Sequence, residues 1–144
     1  MITITRRIEF SAAHRLHNPD LSAEENVRLY GVCNNKNGHG HNYAVEVTVR
    51  GPVPLKTGMV MDLKELNDIL QTAIHVPCDH KHLNHDVAMF EGVIPTAENI
   101  AIKFWEVVAA ELKRFNGVKL HLVRIIESKN NFVDYFGPDP GDIV

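Results

Sequence analysis

The run from His39 to Arg50 dictates more about the fold than any other part of the chain. Its odd positions are His39, His41, Tyr43, Val45, Val47 and Val49, and Glu46, Thr48 and Arg50 take the other side. A period of two is the signature of a strand with one buried face, so this run belongs to a sheet whose apolar side must be covered. Both histidines project from that same side, and two imidazoles two residues apart on one strand face can bind one metal ion together. The residues just before, Cys33 to Gly38, are rich in Asn and Gly without apolar periodicity and read as loop and turn. The glycines around the pair keep Cβ atoms away and let a ligand approach the backbone.

The rest of the chain supplies the cover. Residues 2–14 alternate as Ile2, Ile4, Ile8, Phe10, Ala12 and His14, with Arg7 and Glu9 opposite, which predicts a first strand ending in His14 on the apolar face. Asn18-Pro19-Asp20 breaks it. The polar connection 18–38 holds one helical turn opened by Ser22-x-x-Glu25, and a connection this long is more often functional than idle. Beyond the strand 39–51, Asp62-x-x-Glu65 caps a helix striped by Leu63, Leu66, Leu70, Ala73 and Ile74, which Pro77 stops. Asp79 to Asp86 is a histidine-rich loop. Thr96 caps a second helix, striped by Ile100, Phe104, Val107, Val108, Leu112 and Phe115 and closed at Asn116-Gly117. Val118–Glu127 is a third strand and Phe132–Gly137 a fourth, with a turn at Asn130-Asn131 between them, before a loose tail at 138–144. The order strand-strand-helix-helix-strand-strand predicts an α+β domain over 1–144: a four-stranded antiparallel sheet with two helices on one face. Two uncovered sheet edges predict oligomerisation.

Composition narrows the function classes. The chain has 144 residues, 44% hydrophobic and 23% charged, with a net charge of −3, so no nucleic-acid or membrane partner is expected. No leader or bilayer-long apolar run occurs, and the expected location is the cytoplasm. Cys33 and Cys78 are too few for a disulfide scaffold, whereas nine histidines are an excess that calls for a role.

His14, His39 and His41 offer three nitrogen ligands from two neighbouring strands, an arrangement that suits a catalytic metal with an open position and does not choose among zinc, iron and nickel. Cys33, in a polar loop near cations, is either a nucleophile or base or an ordinary semi-buried thiol. Cys78 reads as structural. Asp79-His80 puts a carboxylate beside an imidazole, which makes either an acid/base pair or a polar loop. Glu127 ends an otherwise apolar strand and must be paired or exposed; the residues alone favour a solvated strand end, although a carboxylate can accept two parallel N–H bonds, as a planar amino-pyrimidinone edge offers. Thr96-x-Glu98 reads, from the residues alone, as a helix cap followed by a first-turn acid. The other histidines read as surface or core residues.

Taken together, Cys33-Asn34-Asn35-Lys36-Asn37-Gly38-His39-Gly40-His41-Asn42-Tyr43 closely resembles the signature of the 6-pyruvoyl-tetrahydropterin synthase family. The resemblance covers nearly the whole chain: Phe10 to Leu16, Gly58 to Leu63, Asp79-His80-Lys81, Thr96-Ala97-Glu98-Asn99 and Glu127 to Asn131 are similar to its other landmarks, in order. It implies the tunnelling fold, with three subunits closing a barrel and two trimers stacking into a homohexamer. It implies Zn2+ on His14, His39 and His41, and Cys33 as catalytic cysteine. Asp79 and His80 would complete a proton relay contributed partly by a neighbouring subunit. Glu127 would anchor the pterin, with Thr96 and Glu98 lining its pocket. The implied reaction is a lyase step, from 7,8-dihydroneopterin triphosphate to 6-pyruvoyl-tetrahydropterin with loss of triphosphate. Arg15, Arg28 and Lys36 are candidates for the triphosphate. Ala97 stands where relatives often carry a second Thr, His82 where Asn is frequent, and Ser128-Lys129 where Thr-Asp is frequent.

Two rival readings exist. The sister 6-carboxy-tetrahydropterin synthases of queuosine biosynthesis share fold, metal and substrate, but typically have fewer residues between the cysteine and the His-x-His pair than the five found here. A non-catalytic zinc-stabilised binding module would be expected to recruit Cys33 as a fourth ligand.

Overall fold

The computed structural model describes residues 1–141. Strand β1 (Thr3–His14) pairs antiparallel with β2 (His39–Arg50), from Thr3 opposite Arg50 to His14 opposite His39. β2 pairs antiparallel with β4 (Lys119–Ser128), and β4 with β5 (Asn131–Tyr135). This register puts Ile8, Phe10, Ala12 and His14 on the same side as His39, His41, Tyr43 and Val45. On that side the sheet is covered by α2 (Leu63–Leu70) and α5 (Ala97–Leu112). Phe10 stacks on Tyr43 at 5.2 Å between ring centroids and meets Phe104 of α5 edge-on at 5.9 Å. Leu66, Leu70, Ile74, Ile100, Phe104, Val108, Val123 and Ile125 complete the core with no exposed surface. Each such side chain contributes on the order of 2 kcal/mol of burial.

The sheet departs from the four-stranded antiparallel expectation. It has five strands in the order β3-β1-β2-β4-β5, and the additional β3 (Lys81–His82) runs parallel to β1. Two residues are too few for periodicity to show, and they lie inside a polar histidine-rich stretch, so this stretch reads as loop. It is fastened on both sides. Before it, the backbone N–H of His80 donates to Ser11 O at 2.7 Å; after it, α4 (Leu83–Asp86) places Asn84, whose amide exchanges two 2.8 Å hydrogen bonds with the Arg15 backbone.

Pro77 does not stop the first long helix where its ring predicts. After Leu70 the chain widens into a π turn (Gln71–His75) and continues as α3 (Val76–Cys78), with Pro77 in its first turn. A proline removes the N–H that the carbonyl four residues back would accept and crowds that carbonyl. A π turn absorbs the mismatch by widening the ladder. α5 ends at Leu112, short of Asn116-Gly117, and the chain turns over Lys113–Gly117 before β4. The helical turn expected after Ser22 is a full helix, α1 (Ala23–Tyr30), with a reciprocal capping box between Ser22 and Glu25. Of the tail expected to be loose at 138–144, residues 142–144 lie outside the described residues. No described helix is long and apolar enough to cross a membrane.

Candidate active site

The pairing of His14 with His39 across β1 and β2 brings three imidazoles into one cluster. The ring centroids of His14, His39 and His41 are 4.8–5.2 Å apart, and one nitrogen from each lies within 4.8 Å of the others. His14 is 1% exposed, and its ring orientation is fixed from behind. Its Nδ1 lies 2.7 Å from the Pro95 carbonyl, which can only accept, so Nδ1 carries the proton and Nε2 presents a lone pair. That Nε2 faces His39 Nε2 at 3.2 Å, while His41 Nε2 is buried with no partner. Two converging ring nitrogens and a third buried orphan are costly for an apolar pocket and well suited to a metal ion. Charge agrees with that use: burial above all holds the His14 pKa down at about 4, and burial lowers that of His41 despite the nearby Glu127 carboxylate. Neutral imidazoles are the ligand form.

Gly38 is required here by the chain's own packing. Its φ is +73°, and a Cβ would lie 2.6 Å from the His14 carbonyl and 2.9 Å from His82 Nε2. The close approach is that of the chain's own first strand, which seats His14 against the second.

Two groups hold His14; the period of two puts the first of them on this strand face without giving it a role, and the second leaves no mark in the sequence. Tyr43 follows His41 on the same strand face and is fully buried, with its hydroxyl 3.2 Å from His14 Nδ1; burial raises its own pKa. Pro95 acts through its carbonyl, and no residue pattern marks that.

Cys33 is half-buried on a 3₁₀ turn (Gly31–Asn34), and it is a free thiol. The turn is tied to the chain beyond His14: Leu16 N–H donates to Cys33 O at 2.9 Å, Arg15 Nε to Asn34 O at 2.9 Å, and the buried Asn34 amide to Leu16 O at 2.8 Å. Arg15, one of the three triphosphate candidates, is thus partly committed to the fold. Cys78 is also free, fully buried, and pushed up to about 12 by burial.

Thr96, Glu98 and Glu127 meet in one cavity of 390 Å³, with Tyr30 and Leu16 on its walls. Thr96 caps α5 by accepting from Asn99 N–H at 3.2 Å, and Glu98 sits in the first turn, so the cap and the pocket wall are one structure. Glu127 reaches the pocket through a β-bulge. β4 pairs with β5 at Ile126 and again at Ser128, leaving Glu127 between them without a cross-strand partner.

Asp79 and His80 form a hydrogen-bonded pair, His80 Nδ1 donating to Asp79 Oδ2 at 2.7 Å. Asp79 Oδ1 accepts from the Ser11 backbone N–H at 2.9 Å, and that bond, then His80, holds the carboxyl below the usual carboxylate range. His80 has φ +57°, the left-handed value rare outside glycine, and its side chain is 83% exposed. Among the described residues no hydrogen bond or ion pair joins this pair to Cys33.

The buried His14 and the half-buried His39 and His41 form a group that could hold one metal ion, on an α+β scaffold. The model of the 6-pyruvoyl tetrahydropterin synthase family matches residues 3–138, and the chain belongs to that family. It is 46% identical over 137 residues to the 6-pyruvoyl tetrahydrobiopterin synthase of Drosophila melanogaster, covering 95% of this chain and 80% of the relative. Identity to the protein of that name from Homo sapiens is 48% over 134 residues, covering 93% and 90%. The structure superposes on that of the Caenorhabditis elegans 6-pyruvoyl tetrahydropterin synthase with a TM-score of 0.88 at 39% identity, covering 95% and 96% of the two chains.

Proposed function

We propose that this chain is a zinc-dependent lyase that converts 7,8-dihydroneopterin triphosphate to 6-pyruvoyl-tetrahydropterin with release of triphosphate. The observation that carries the reading is the orphaned His41 Nε2 beside the two facing Nε2 atoms of His14 and His39: three ring nitrogens gathered within ligand reach of one another. His14, His39 and His41 would hold the metal, which when bound supplies Lewis-acid polarisation of the substrate's side-chain oxygens.

Glu127 accepts from the N–H edge of the pterin, with Thr96 and Glu98 lining the same cavity. Cys33, as thiolate, takes and returns a proton at the side chain. Asp79 fixes His80 with its proton on Nδ1, which leaves Nε2 free to exchange one. The hydrogens move within the substrate, so the reaction is redox-neutral overall. The relay draws on two subunits, with Asp79 and His80 contributed partly by a neighbour, in a homohexamer built from two trimers. The free thiols suit a reducing cytoplasm.

The test is turnover of 7,8-dihydroneopterin triphosphate with and without a chelator, with products identified by mass. Triphosphate and a 6-pyruvoyl product, abolished by chelation, are expected. Acetaldehyde with a 6-carboxy product would assign the chain to the queuosine branch instead.

A further inference from the structure

We infer that Tyr30 is the wall against which the flat ring system of the substrate lies, and that it sets affinity for the pterin rather than the rate of the chemistry. This rests on the reading of the Glu127 cavity as the pterin pocket. A carboxylate grips a planar heterocycle by one edge only; the faces of the ring need apolar walls, and an aromatic side chain is the strongest of these. The cavity offers few such surfaces. Leu16, Ala97 and Val133 are aliphatic, and two residues present rings, Tyr30 and Phe132. The Arg124 guanidinium lies over the Phe132 ring at 4.6 Å from its centroid and occupies one of its faces, which leaves Tyr30 as the wall. Unlike Tyr43, which is fully buried and stacked on Phe10, Tyr30 is half-buried at the pocket.

The backbone under Tyr30 is fixed. Tyr30 is the last residue of α1, ended by Gly31 at φ +54°, whose N–H bonds back to Val27 O. The other end of α1 is held by the capping box and by Asn26, which is fully buried. Its side chain accepts from Asn18 N–H at 2.8 Å and donates to Asn18 O, Leu21 O and Ser22 O at 2.9–3.3 Å. An eight-residue helix facing solvent would fray without such a clamp. The same clamp carries Cys33, three residues further on, so ring wall and thiol are delivered to the site as one unit.

The experiment uses the metal-loaded full chain and the unreactive, fluorescent pterin neopterin as probe, with turnover of the triphosphate substrate in parallel. Binding to wild type, Tyr30→Phe, Tyr30→Leu and Tyr30→Ala is followed by quenching, and thermal unfolding verifies each fold. Tyr30→Ala and Tyr30→Leu are expected to weaken binding by about tenfold or more, the usual value of one ring stacked on a base. KM should rise in parallel while kcat changes little, and Tyr30→Phe should recover most of the loss. If wild type binds and all three variants bind equally, the assignment of Tyr30 falls while the pterin pocket stands. If Tyr30→Phe is as weak as Tyr30→Ala, the hydroxyl and not the ring face is used, which overturns the stacking role. If wild type neither binds neopterin nor turns over the substrate, the proposed function itself fails, and the inference with it.

Discussion

The histidine cluster and the Asp79–His80 corner hold imidazoles in opposite ways. His14 is 1% exposed, held by Pro95 and Tyr43 and fixed in register by twelve consecutive pairings between β1 and β2. His80 is 83% exposed at its side chain, on a backbone with φ +57°, at the edge where β3 contributes two residues. The first cluster is brought together within the chain by the register of β1 on β2. The second is held ready in a strained conformation by one carboxylate and the Ser11 backbone, and its exposed side faces outward. Strain of this kind persists only where neighbours enforce it, and it marks places where function outweighs local stability.

If that contrast is right, substitutions at the two places fail differently. The largest effect belongs to His14→Ala, which removes one of the three proposed metal ligands and takes their partner from Pro95 O and the Tyr43 hydroxyl. Activity should fall at least about a thousandfold, since a metal's charge stabilisation is worth several kcal/mol. Metal content by mass spectrometry should fall with it, and so should thermal stability. Asp79→Asn should lower kcat by about a hundredfold or more, yet leave metal content and the unfolding midpoint nearly unchanged, because an amide oxygen can still accept from Ser11 N–H. A loss of bound metal in Asp79→Asn would show that the two regions are coupled and not independent.

The histidine cluster is legible in the sequence because a period of two maps side chains to faces without further information. His14, Phe10, His41 and Tyr43 all follow from it. Glu127, Thr96 and Glu98 were nameable, but their meeting in one cavity depends on the bulge between Ile126 and Ser128 and on the path of α5, which are three-dimensional facts. The corner was least legible. Two-residue β3 leaves no period, the π turn before Pro77 defies the rule that proline ends a helix, and the left-handed backbone of His80 contradicts what its residue type prefers. Local rules fail where long-range contacts impose the conformation.

The cluster's burial predicts a pH dependence of the chelated protein. His14 has a folded-state pKa of about 4 against 6.5 when unfolded, so between those values the unfolded chain binds the extra proton. The stability held above pH 6.5 is therefore lost as pH falls towards 4, by on the order of 2–3 kcal/mol. Urea unfolding at pH 7 and pH 4.5 measures it. A flat profile would mean that the unmetallated cluster opens to water.

The smallest effect is the sharpest test of the corner. At an ordinary position Ala is more stable than Gly by about 0.5–1 kcal/mol, because glycine loses more backbone freedom on folding. At φ +57° the Cβ penalty of about 1–2 kcal/mol falls on Ala and spares Gly. Both replacements lose the same hydrogen bond to Asp79 and the same proton-exchanging ring, so both should be nearly inactive, and that loss cancels in the comparison. His80→Gly should then unfold at higher urea than His80→Ala by about 0.5–1 kcal/mol, the reverse of the usual order. If Ala is instead the more stable, the left-handed backbone belongs to the Asp79–His80 hydrogen bond and relaxes once the ring is gone. The strain would then be imposed by the side chain itself rather than by the bond from His80 N–H to Ser11 O, and the corner would be poised only while the histidine is present.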